Sequence, residues 1–180
     1  MTIGELFLIL TGCILSSNYV LVHFFNTDTV LSFDRVGLKN SVIYSLYLGV
    51  ILMISSVIIW PLGKYLLSSA SYLRVLVSVV AVLLVTALVS LLSGKKGGEL
   101  FSLSLSSSVL GAVLLYQENG YTLLQTLFAS LGTALGYLLV TVAISCVREK
   151  VKDRYVPSSF RGYPIMMVAL GIIALTVYAF

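Results

Sequence analysis

Few residues in this 180-residue chain can do acid–base, redox or metal chemistry. His23 is the single histidine, so neither a Ser–His–Asp set nor a histidine metal site is expected within this chain. Asp28 and Asp34 follow it closely. They are ordinary acids if they lie in a wet link, and functional candidates if that link dips into a low-dielectric interior. Cys13 and Cys146 are the two cysteines, each in an apolar run with small neighbours. Two thiols alone do not close a metal site, and buried Cys behaves as a small hydrophobe. A second polar cluster comprises Ser102, Ser104, Ser106, Ser107 and Ser108. The chain carries no Gly-rich phosphate loop, no dinucleotide fingerprint and no CxxC pair.

These groups are embedded in apolar sequence. The hydrophobic fraction is 59%, the charged fraction 10% and the mean hydropathy +1.07, against about 45–50% apolar and about 25% charged in soluble domains. A bilayer-spanning helix needs roughly 20 apolar residues, and six such stretches are separated by short polar links. They run over about Ile3–Phe25, Leu38–Trp60, Tyr72–Leu92, Leu100–Gln117, Tyr121–Cys146 and Tyr163–Phe180. The runs are continuous rather than alternating, so they are helices and not barrel strands. The first run carries Glu5 and lacks a basic lead, so it is expected to be a retained helix rather than a signal peptide. The expectation is an all-α integral membrane protein with one domain, 1–180.

Lys and Arg set the orientation. Nine of the eleven lie in the first, third and fifth links: Arg35 and Lys39, Lys95 and Lys96, then Arg148, Lys150, Lys152, Arg154 and Arg161. Lys64 and Arg74 flank the second. The positive-inside rule then places the odd links in the cytoplasm and both termini outside. The mixed-sign run 148–154 suits a wet link or a docking surface for a partner.

Two runs are irregular. The first holds Ser16, Ser17, Asn18 and His23; the fourth is short and serine-rich. Small polar residues serve close helix packing. Interrupted helices at matching places in two three-helix halves are also the trace of an inverted repeat. The first and fourth runs are therefore expected to be interrupted, with repeats over about 1–93 and 99–180. His23 sits near a helix end, either as an interfacial residue or as part of a proton path.

Several pieces, in order, resemble one family: Asn18-Tyr19-Val20-Leu21-Val22, Tyr72-Leu73-Arg74, Val109-Leu110-Gly111, Arg148-Glu149, and Val156-Pro157-Ser158-Ser159-Phe160-Arg161-Gly162-Tyr163-Pro164-Ile165. The chain resembles the A subunit of Rnf electron-transport complexes and its homologue, the E subunit of the sodium-translocating NADH:quinone reductase (the RnfA/NqrE family). The resemblance implies a membrane subunit of a redox-driven ion pump in a bacterial or archaeal cytoplasmic membrane. It implies a homologous partner of opposite orientation (RnfE/NqrD-like), further membrane, flavin or iron–sulfur subunits, and no nucleic acid. It also implies a [2Fe–2S] cluster between the paired subunits, with two cysteines from each.

Here the sequence departs from the family. The motif around the first cysteine aligns with Asn26-Thr27-Asp28-Thr29, placing Asp28 at the ligand position. The second aligns with Ser106-Ser107-Ser108-Val109-Leu110-Gly111, placing Ser107 there. Clusters of this kind are held by thiolates, whereas Asp and Ser offer hard oxygens. The expectation is that this chain supplies no cluster ligand and has no self-contained active site. Asp28, with His23, is then a candidate for an ion path. Two other readings remain at this level: a cofactor-free paralogue kept for assembly or ion passage, and a small inverted-repeat transporter.

Overall fold

The computed structural model describes residues 3–15, 18–24, 38–66, 72–92, 107–151 and 156–178, and within these it is helical without strands. α1 spans Ile3–Ile14 and α2 Tyr19–His23. α3 spans Leu38–Pro61 and runs into a π-helical turn over Leu62–Leu66. Pro61 lacks the N–H that would continue the regular ladder, which accounts for the change of helix type at that point. α4 spans Leu73–Leu92, α5 Ser107–Glu118, α6 Leu123–Lys150 and α7 Tyr163–Tyr178.

α6 is the central post. It packs against α1, α2, α3, α5 and α7, and the residues it buries are mostly small or hydroxylated: Thr126, Ala129, Ser130, Gly132, Thr133, Gly136 and Thr141, with Tyr137, Val140 and Ile144. Its leucines face outward, with Leu131, Leu135 and Leu139 at 38%, 44% and 48% exposure. α4 repeats the pattern: Ser78 and Thr86 are buried while Leu76, Leu84, Leu88 and Leu91 are exposed. A water-soluble bundle buries its leucines and exposes its serines. The inversion suits a bundle whose surroundings are as apolar as leucine, where helices associate through close backbone approach and shared hydrogen bonds.

Several hydroxyls buried in the bundle find partners within it, although Ser55 Oγ finds none among the described residues. Thr141 Oγ1 donates to the Tyr137 carbonyl at 2.7 Å and Ser56 Oγ to Leu52 at 2.7 Å. Thr133 Oγ1 donates to the Ala129 carbonyl at 2.9 Å and lies 2.6 Å from the Tyr116 hydroxyl, stitching α5 to α6. Such bonds remove the cost of burying a hydroxyl, about 1–3 kcal/mol where it is left unpaired.

Chain directions follow from which residues meet. Leu10 and Cys13 abut Gly132, and Ile14 and Asn18 abut Gly136, so α1 runs parallel to α6. Gly49 of α3 packs on Ala134, and the Trp60 indole donates to the Tyr121 carbonyl at 2.7 Å, so α3 runs antiparallel to α6. α5 joins α6 through a tight turn in which Gly120 takes φ 64°. The ends of α3 and α5 therefore lie together with the starts of α4 and α6.

Among the described residues, two helical stretches are long and apolar enough to cross a membrane, Ser45–Lys64 and Leu123–Lys150. Gly4–Ile14, Leu73–Val89 and Tyr163–Tyr178 are shorter apolar helices. The first predicted run is divided between α1 and α2, and only residues 107–118 of the fourth form a described helix. The first run therefore presents no uninterrupted 20-residue crossing among the described residues.

Candidate functional site

The break between α1 and α2 is a tightly seated polar feature of the bundle. Asn18 is 2% exposed. Its Nδ2 donates to the Ile14 carbonyl at 3.0 Å, at the end of α1, and its Oδ1 accepts from the Val20 N–H at 3.1 Å, at the start of α2. One amide thus serves an orphan carbonyl and an orphan N–H across the interruption. An unpaired backbone group in an apolar medium is costly, and Asn is suited to this position because its side chain carries both a donor and an acceptor.

The break is seated on α6. A Cβ on Gly136 would lie 2.8 Å from Asn18 Nδ2, 3.2 Å from the Cys13 carbonyl oxygen and 3.3 Å from that of Ile14. A Cβ on Gly132 would meet the Leu10 carbonyl oxygen at 2.8 Å and Cys13 Cβ at 2.9 Å. Gly132-x-x-x-Gly136 therefore forms a flat strip against which the backbone of α1 lies directly. Each glycine inside a helix costs about 1 kcal/mol relative to alanine, and the close seat it permits compensates. We expect Asn18→Ala to lower stability by about 1–3 kcal/mol, the range for two lost hydrogen bonds. The thermal unfolding midpoint in mild detergent measures it, and an unchanged midpoint refutes the bridging role.

The sequence-derived candidates distribute around this break. His23 is the last residue of α2 and is exposed. Phe24, next in the chain, adopts φ 53°, a left-handed conformation that bulky residues rarely take, and it ends the helix there. Ser107 is the first residue of α5, and α2 packs against α5, α6 and α7. The helix ending at His23 and the helix beginning at Ser107 are thus neighbours. Asp28 lies outside the described residues, as do Asp34 and the Lys95–Lys96 link.

The cysteines do not converge. Cys13 is buried against Gly132, whereas Cys146 is exposed near the far end of α6. The 14 positions from Gly132 to Cys146 correspond to about 21 Å along the axis at ~1.5 Å per residue. That distance is too great for a shared metal or cluster. Among the described residues no three of His, Cys, Asp and Glu gather into a metal-binding group. Neither thiol of this chain can take over the role of a second ligand beside the other, so the donors present do not fit a thiolate-held cluster supplied by this chain alone.

Sequence reasoning registered Asn18 as a polar residue in the first run but missed its partner. The signal was available as the Gly132/Gly136 spacing within an apolar helix. It also treated Lys64 and Arg74 as leftover charges, whereas they line a common cavity with Trp60 and Gln117.

Known proteins are similar along nearly the whole chain. The A subunit of the ion-translocating oxidoreductase complex from Syntrophotalea carbinolica is 27% identical over 187 residues, covering 98% of this chain and 96% of that protein. The corresponding protein from Cereibacter sphaeroides is 28% identical, with 98% and 96% covered. That from Vibrio cholerae is 24% identical, with 99% and 88% covered. A family described as "Rnf-Nqr subunit, membrane protein" matches residues 6–180. With this match reaching from α1 to α7, the chain belongs to the Rnf-Nqr family of membrane protein subunits.

Proposed function

We propose that this protein is the A-type membrane subunit of an ion-translocating oxidoreductase complex. The observation that carries the reading is the pairing of an end-to-end match to such subunits with a broken first helix bridged by Asn18. The match covers 98% of this chain and 96% of that relative, so the likeness is not confined to a short shared motif. Helices broken inside the bundle, with their backbone groups satisfied by protein, are used by membrane transporters at substrate and ion sites.

In this reading six helices cross the membrane as two inverted halves, about 1–93 and 99–180, with both termini outside. The parallel course of α1 and α6 and the antiparallel course of α3 support it, because alternate crossings must reverse direction. The exposed apolar faces of α1, α4 and α7 leave ample surface for lipid and for a homologous subunit of opposite orientation. In this reading the chain also contributes no thiolate to any cluster, its role being to complete the bundle and an ion path that uses Asp28.

Topology is tested by single cysteines placed at Lys96 and Lys152 in a background lacking Cys13 and Cys146. Both are expected to resist a membrane-impermeant thiol reagent added outside whole cells and to react after the membrane is opened. Reaction of both from outside overturns the orientation. Mild purification through a tag on this chain is expected to bring down a second polytopic protein. Recovery of a stable, lone monomer argues for the transporter reading instead.

A further inference from the structure

We infer that the bundle end formed by α3, α4, α5 and α6 carries a binding site for a phosphate ester with a hydroxyl-bearing headgroup, as in a glycerophosphate. The cavity there measures about 280 Å3 and is lined by Trp60, Gly63, Lys64, Arg74 and Gln117 together with the turn residues that lead into α6. This is just below the roughly 300–1,000 Å3 of sites for drug-sized ligands and suits a single headgroup.

Two cations line the cavity, and among the described residues no carboxylate does. The link 67–71, Leu-Ser-Ser-Ala-Ser, brings no charge in sequence, and Glu118 is exposed and outside the lining. The Lys64 ammonium is held 5.0 Å above the Trp60 ring, and the ring is itself fixed by the 2.7 Å bond from its N–H to the Tyr121 carbonyl. A cation–π contact thus helps to position positive charge at the cavity wall.

Two polar atoms define the ligand further. Arg74 Nε and Gln117 Oε1 are buried, and neither has a hydrogen-bond partner among the described residues. Leaving such atoms unpaired is costly, more so for a charged group. Arg74 Nε is a donor on a guanidinium and calls for an anionic oxygen. Gln117 Oε1 is an acceptor and calls for a hydroxyl or similar donor. A simple anion answers the first and not the second, whereas a phosphodiester carrying glycerol hydroxyls answers both. Gln117 lies close over Gly63, where a Cβ would come 3.0 Å from its Nε2.

The location narrows the source. Lys64 ends the apolar stretch Ser45–Lys64, and Trp60 and Tyr121 stand at the same level. Trp and Tyr gather where acyl chains give way to headgroups, so the mouth opens at the depth of lipid phosphates. The proposal does not depend on the redox role of the complex.

The test uses the full chain, purified in mild detergent with the subunits that accompany it and then delipidated. Thermal unfolding is recorded with phosphatidylglycerol, with phosphatidylcholine and with soluble glycerol 3-phosphate, for the native chain and for Lys64→Gln and Arg74→Gln. Phosphatidylglycerol is expected to raise the midpoint by several degrees, phosphatidylcholine much less, and each variant to need at least tenfold more lipid for the same shift. Lys64→Arg, which keeps the charge, is expected to retain most of the effect and guards against misfolding as the cause. Stabilisation by glycerol 3-phosphate at equal or lower concentration identifies a soluble phosphate ester as the source. Weak action of the soluble ester identifies the lipid. Equal stabilisation by phosphatidylcholine, a shift untouched by both Gln variants, or no shift with either phosphate source overturns the site.

Discussion

Gly136→Val is expected to separate the broken first helix from α6 and to destabilise the protein by several kcal/mol. The added atoms meet backbone as well as side chain: a Cβ alone lies 2.8 Å from Asn18 Nδ2 and within 3.3 Å of the carbonyl oxygens of Cys13 and Ile14. Carbonyls at the end of a helix cannot swing aside like the tip of a flexible side chain. Overpacking of this kind costs about 1–3 kcal/mol. Displacing Asn18 also breaks its bonds to Ile14 and Val20, leaving buried groups unpaired at about 1–3 kcal/mol each. Gly136→Ala should show the first part of this loss and Gly136→Val both. Gly171→Ala serves as a control, because nothing lies within 4 Å of a Cβ at that position. The unfolding midpoint in detergent and the yield of co-purified partner should fall together in the order Ala, then Val. If Gly136→Val melts like the native chain, α1 does not rest on this strip.

The membrane character and the approximate helix limits were legible because they depend on residue type averaged over long windows. The predicted second, third, fifth and sixth runs correspond to α3, α4, α6 and α7 within a few residues at each end. The position of the first break was legible for a similar reason: Ser16, Ser17 and Asn18 are poor residues for the middle of an apolar helix. What makes the break stable was not. It depends on Asn18 reaching groups on both sides and on two glycines more than a hundred residues away, and no local pattern reports such a pairing. The cavity around Lys64, Arg74 and Gln117 was hidden for the same reason, since its members come from four helix ends that meet only in the folded bundle. His23 and Ser107 were selected by type and by alignment to family motifs. The structure makes their helices neighbours, which sequence spacing by itself cannot do.

The second large effect concerns the positions occupied by Asp28 and Ser107. Iron and acid-labile sulfide in the purified complex are expected to be unchanged by Asp28→Ala, by Ser107→Ala and by the two together, because neither side chain supplies the soft thiolate that an iron–sulfur cluster requires. Aspartate could bind iron through hard oxygen, but serine must first lose a far less acidic proton, and the family resemblance puts these two oxygen side chains at both ligand positions. Cys13 and Cys146 cannot compensate, being anchored about 20 Å apart along α6 at ~1.5 Å per residue. The informative gain is the reverse change. Asp28→Cys combined with Ser107→Cys is expected to create a new cluster signal by electron paramagnetic resonance after reduction, provided the partner brings its own pair of thiolates. Either cysteine alone should give little or none, since three thiolates leave one iron site open. A stoichiometric cluster signal in the native complex that disappears in Asp28→Ala or Ser107→Ala would falsify this view and make the two oxygens ligands in a mixed site. If native metal content is indifferent to both residues, Asp28 is left as an acid available to an ion path. Its removal should then act on ion transport rather than on any spectrum, and measuring ion uptake in vesicles alongside the metal content distinguishes the two roles.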